Sequence, residues 1–143
     1  MTTLNELADK LEKKAAKLET EASRLAVKTA ETILGDLVQV TPVDTSQALS
    51  NWQVNLGSPV SSSIGPYFPG EKGSTQSSSA NAALAEGRAA LKAKRPKQAI
   101  YISNVLPYIG RLNEGSSKQA PAGFVERAVL LGRRILEQTK LKL

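Results

Sequence analysis

Residues 1–40, MTTLNELADKLEKKAAKLETEASRLAVKTAETILGDLVQV, decide the architecture. Leu4, Leu7, Leu11, Ala15, Leu18, Ala22, Leu25, Thr29, Ile33 and Leu37 follow one another at steps of three or four, which places them on one stripe of a long α-helix. Thr3 and Glu6 make an S/T-x-x-E capping box at its start, in which hydroxyl and carboxylate each take up a free N–H group. Pro42 stops it, because the residue before a proline is pushed out of the helical region. About 36 residues rising about 1.5 Å each reach roughly 54 Å, more than a domain of this length is wide. Part of the helix is therefore expected to project, or to pack on another subunit. Glu6 with Lys10 and Asp9 with Lys13 stand at i,i+4 and mark a solvated face.

Outward from that helix, residues 41–56 read as a turn and a strand. Asp44 is expected to cap a short helical turn with Gln47 as its N3 partner, and Leu49 and Trp52 then point inward. Trp52 to Leu56 alternates apolar and polar, as a half-buried strand does. Residues 57–80 are rich in Gly, Pro and Ser, including Ser61–Ser63 and Ser77–Ser79, and read as a flexible loop. Within it Tyr67 and Phe68 either anchor a contact with another subunit or partner, or fold back onto their own chain. Residues 81–95 favour a short helix that Pro96 ends, and 98–112 form a strand region around Ile100 and Ile102. Pro121 suits the first position of a final helix over 121–139, whose apolar positions Phe124, Val125, Ala128, Val129, Leu131, Ile135 and Leu136 are expected to form a core face. The expectation is one domain over 1–143 of α+β class: a long N-terminal helix, a small mostly antiparallel sheet and a C-terminal helix.

Composition narrows the chemistry. The 143 residues include no His and no Cys, so Ser-His-Asp and Cys-His nucleophiles, thiolate redox centres and zinc sites with His or Cys ligands are excluded. No paired-acid cluster outside the charged first helix, no Walker pattern and no G-x-G-x-x-G is present, so the chain is not expected to be an enzyme or to bind a metal or cofactor. No apolar run is long enough to span a bilayer, no signal-peptide pattern opens the chain, and Cys is absent, which together suit a cytoplasm. The net charge of +6 is uneven: residues 1–40 hold seven acids and six bases, the remainder six acids and thirteen bases. Arg88, Lys92 and Arg95 stand at helical spacing, and Lys94 and Lys97 extend the patch. This is either a solvated basic surface or a nonspecific contact with duplex DNA or an acidic partner.

Two segments carry a likeness. Thr41-Pro42-Val43-Asp44-Thr45 through Leu49 to Trp52 is close to a T-P-V-D-T-G-x-L-x-x-S-W pattern. Residues 108–126, YIGRLNEGSSKQAPAGFVE, follow Y-I-x-x-L-N-x-G-x-S-K-Q-A-P-A-G-F-V-E. In that order, with a strand between them and helices at both ends, they resemble the tail-completion or neck proteins of tailed bacteriophages, the group that includes the minor tail protein Z-like family. Ser46 stands where that pattern has Gly. The resemblance implies a structural virion protein, assembled in the host cytoplasm into a homo-oligomeric ring at the head–tail junction. Its neighbours would be head-closure, tail-terminator and other neck and tail proteins, and double-stranded DNA would pass through its lumen without sequence recognition. The motif core carried over comprises Pro42, Asp44, Leu49, Trp52, Gly115, Pro121 and Phe124. The alternatives are a nonspecific nucleic-acid-binding protein, or a tail-terminator ring subunit.

Overall fold

Thr3 caps α1 (Leu4–Val40) as expected: its hydroxyl accepts the Glu6 N–H at 3.1 Å, and the Glu6 carboxylate accepts the Thr3 N–H at 3.3 Å. The computed structural model describes residues 3–139. After α1 come α2 (Gln47–Ser50), β1 (Gln53–Leu56), α3 (Gln76–Leu91), β2 (Ile100–Ser103), α4 (Ile109–Asn113) and α5 (Phe124–Gln138). This is an α+β fold whose sheet has two antiparallel strands, with Val54 opposite Ile102 and Leu56 opposite Ile100. The period of two turns Val54 and Ile102 towards the core, while Asn55 and its partner Tyr101 face solvent.

The core sits where the second half of α1 meets α2, β1, α3 and α5. Leu34, Leu37 and Val38 of α1 pack with Leu49, Trp52, Ala80, Ala83, Phe124 and Ala128. Alanines and glycines on α3 and α5 let these helices come close to α1. A Cβ added to Gly87 would lie 2.2 Å from Leu34 Cδ2, and one added to Gly132 would lie 2.4 Å from Ile33 Cδ1. α5 runs back along α1, from Phe124 beside Val40 and Thr41 to Gly132 beside Thr29 and Ile33. The first half of α1 leaves this body: every residue from Thr3 to Leu18 is exposed, an arm about 22 Å long from Leu4 onward.

Several sequence expectations need correction. The loop ends at Thr75, not at residue 80, because Ser77–Ser79 and Ala80 lie within α3. α3 stops at Leu91, and the strand region 98–112 contains only the four-residue β2 and the short α4. Asp44 does not cap α2; Ser46 occupies that place in the left-handed region at φ 70°, so the turn takes there, without glycine, the conformation a glycine adopts most easily. The Ser46 hydroxyl shares a 2.8 Å hydrogen bond with that of Thr75. Pro121 is not the first residue of α5, which begins three positions later after Gly123 in a left-handed conformation at φ 80°.

Candidate functional site

The two segments that carry the resemblance fold against each other. The Gln119 side chain meets the Val43 backbone as a strand would: its Oε1 accepts the Val43 N–H at 2.8 Å and its Nε2 donates to the Val43 carbonyl at 3.1 Å, across 76 positions of sequence. Trp52 Nε1 donates to the buried Thr41 Oγ1 at 2.8 Å, and that hydroxyl donates to the Leu37 carbonyl, tying the tryptophan to the end of α1. Asn113 organises the approach to α5. Its Oδ1 accepts the Val125 N–H at 2.9 Å, its Nδ2 donates to both Glu126 carboxylate oxygens, and its carbonyl accepts the Gly123 N–H at 2.7 Å. Of the motif positions, Pro42, Leu49, Trp52 and Phe124 are buried. Asp44, Gly115 and Pro121 are on the surface. Gly115 takes φ 97°, which a side chain would strain.

The stretch read as a flexible loop is fastened at successive points. Asn51, fully buried, accepts the Ile64 N–H at 2.8 Å and donates to the Ile64 carbonyl at 2.9 Å and the Gln47 carbonyl at 2.8 Å. Ser50 Oγ accepts the Tyr67 N–H at 3.1 Å. Ser79 Oγ accepts the Phe68 N–H at 3.1 Å and donates to the Phe68 carbonyl at 3.2 Å. Asp44, in place of a cap, accepts the Lys72 N–H at 2.7 Å. Tyr67 folds back: it packs on the core and lines a pocket with Trp52. Burial, with the Glu86 carboxylate as a second cause, raises its phenol above the usual 10.0. Phe68, half exposed, is the one of the pair that faces outward.

The basic residues do not form one stripe. Arg88 and Lys92 share the last turn of α3 and its cap, but the helix has ended before Arg95. Lys94 Nζ turns to Ser23 Oγ and the Arg95 carbonyl, and Lys97 Nζ stands 3.4 Å from Glu19 Oε1. Arg88, Lys92 and Arg95 stay exposed and make no ion pair among the described residues. Among the described residues no group of three or more His, Cys, Asp or Glu could hold a metal ion, and no helix is long and apolar enough to cross a membrane.

Sequence reasoning missed one surface feature altogether. An apolar groove of about 550 Å³ lies between the middle of α1, the segment joining α3 to β2, β2 itself and the end of α5. Ala22, Ala26, Ile33, Ile100, Ile102 and Leu136 form its walls, and Lys94 and Lys97 stand at its rim. Three stretches far apart in sequence build it, so no local pattern announces it. The arm adds a second apolar surface: Leu4 is 84% exposed, Leu11 59%, and Leu7 and Leu18 are exposed with them. No protein-family model, curated protein or solved structure matches the chain.

Proposed function

We propose that this chain is a structural subunit of a tailed-bacteriophage neck or tail-completion ring, joining a DNA-filled head to its tail. The observation that carries the assembly part is the projecting half of α1, whose leucine stripe is left in water on an isolated chain; contiguous exposed apolar surface of this kind marks a protein interface. The neck assignment rests on the resemblance of 41–52 and 108–126, which the Gln119–Val43 pair joins into one unit. Its partners are further copies of itself, head-closure and tail-terminator proteins, and the duplex DNA of the lumen. Its place is the virion, after assembly in the host cytoplasm. Particles made under depletion of this protein are expected to accumulate as filled heads beside unattached tails in electron micrographs; normally joined particles would overturn the proposal.

A second reading, nonspecific DNA binding, is favoured by Arg88, Lys92 and Arg95, the three exposed bases of the patch for which the described residues show no ion pair within 4.0 Å. Affinity for duplex DNA should then fall linearly on a log–log salt plot, and replacing those three by Ala should reduce the slope by up to about 3. An unchanged slope rejects this role.

A further inference from the structure

The arm and the groove are two unsatisfied apolar surfaces on one molecule, and they cannot meet within it. The groove is walled by Ala22, Ala26 and Ile33 of α1, and the arm is the preceding part of the same uninterrupted helix. Among the described residues nothing fills either one, and a second molecule can supply what does. We propose that the arm Leu4–Leu18 of one copy lies in the groove of the next copy. This deepens the assembly reading above and rests on its claim that copies associate.

Three observations fit a second copy as the occupant. The first is the repeat: Leu4, Leu11, Leu18 and Leu25 recur every seven residues, and Ala8, Ala15 and Ala22 follow them at four. A strict seven-residue repeat of large and small side chains suits side-by-side helix packing with close approach at the alanines. The second is continuity. Within the chain the same seam is filled by α5, whose Gly132 approaches Thr29 and Ile33; α5 ends at Gln138, and beyond it the stripe is uncovered by any of the described residues. The third is charge. Lys97 on the groove rim already pairs with Glu19, and Glu12 lies one repeat before Glu19 on the same flank of α1. An incoming arm thus presents Glu12 to the Lys94 and Lys97 wall. Its other flank carries Lys10, Lys14 and Lys17, suited to the carboxyl end of α5, where the helix dipole is negative and no base occupies the last turn. Because arm and groove are different surfaces, the contact is head-to-tail and propagates into a ring when the rotation closes.

The absence of cysteine makes the test direct, since any introduced thiol is unique. Protein carrying Leu11→Cys is mixed with protein carrying Ala26→Cys and treated with a short bismaleimide. A covalent dimer in the mixture and none with either variant alone is expected. A dimer from Leu11→Cys alone means arm pairs with arm and overturns the proposal, as does an oligomer that gives no cross-link in the mixture. The double variant Leu11→Glu/Leu18→Glu, altered only at exposed positions, should sediment as a monomer while Trp52 emission reports a folded body; persistence of the wild-type oligomer, or a wild-type chain that is itself monomeric, also overturns it. Normally joined particles in the depletion experiment would remove the neck role and leave the cross-link standing. A missing cross-link in a chain that depletion places at the junction would remove only the docking.

Discussion

Replacing Gly87 by Ala tests how tightly α3 is seated on α1. In a helix interior the change alone should stabilise by up to about 1 kcal/mol, because glycine loses more backbone freedom on folding. At position 87 the new methyl would stand 2.2 Å from Leu34 Cδ2 and 3.3 Å from Val54 Cγ2, where carbon atoms prefer about 3.5–4.0 Å. Leu34 is fully buried, so moving its Cδ2 aside disturbs the side chains packed on it, and an overpacking cost of about 1–3 kcal/mol is expected. Gly35, within α1, is the control: a Cβ there meets nothing within 4 Å. Gly87→Ala should therefore lie about 1–3 kcal/mol below Gly35→Ala in stability, which at roughly 4 °C per kcal/mol separates their melting temperatures by about 4–12 °C. Thermal unfolding followed by circular dichroism at one fixed protein concentration reads this, since association would shift Tm with concentration. In a Leu34→Ala background the added methyl has room, and Gly87→Ala should become stabilising, a coupling that a double-mutant cycle isolates. Equal melting of the Gly87→Ala and Gly35→Ala proteins would refute the close approach.

Trp52→Ala should cost about 3–5 kcal/mol in urea unfolding, because it empties a buried site and removes the donor to Thr41. Asn51→Ala should cost about 1–3 kcal/mol and leave the Ile64 N–H unpaired, so hydrogen exchange at Ile64 and proteolysis within 57–65 should quicken; unchanged exchange would show that the loop does not depend on this side chain. The phenols of Tyr67 and Tyr108 are both raised above 10.0, chiefly by burial. The unfolded chain therefore gives up these protons first, so this contribution to stability is complete below pH 10 and declines as pH rises through 10. An ultraviolet titration in which neither phenol ionises later in the folded protein than in denaturant would contradict it.

What the sequence disclosed and what it hid divide along locality. The stripe, the Thr3–Glu6 cap and the Pro42 stop are patterns within a few residues, and α1 follows them to the residue. Trp52-Gln-Val54-Asn-Leu56 likewise announced β1 by its alternation. Ser77–Ser79 misled, because serines in a row resemble loop; Ser79 is tolerated in a buried helix face since its hydroxyl bonds the Phe68 backbone, a partner eleven residues away. Asp44 looked like a cap because spacing cannot show that Ser46 takes a positive φ, which leaves the carboxylate free to hold Lys72. The basic stripe dissolved for a similar reason: the helix ended before Arg95, and Glu19 and Ser23, seventy and more residues earlier, drew Lys97 and Lys94 away. Of the motif, the buried half was legible from residue type, whereas the Gln119–Val43 pair belongs to tertiary structure alone.

The unbroken course of α1 has a mechanical side. No proline or internal cap separates arm from body, so the arm has no hinge and behaves as a lever whose fulcrum is the packed segment around Leu34. From Leu34 to Leu4 the lever measures about 45 Å, and a tilt of about 10° at the fulcrum carries its tip through about 8 Å, roughly one and a half helical turns. The curvature of any assembly built on this arm is therefore set by a few methyl groups in the interior of each subunit, at Leu34 against Gly87 and Ile33 against Gly132.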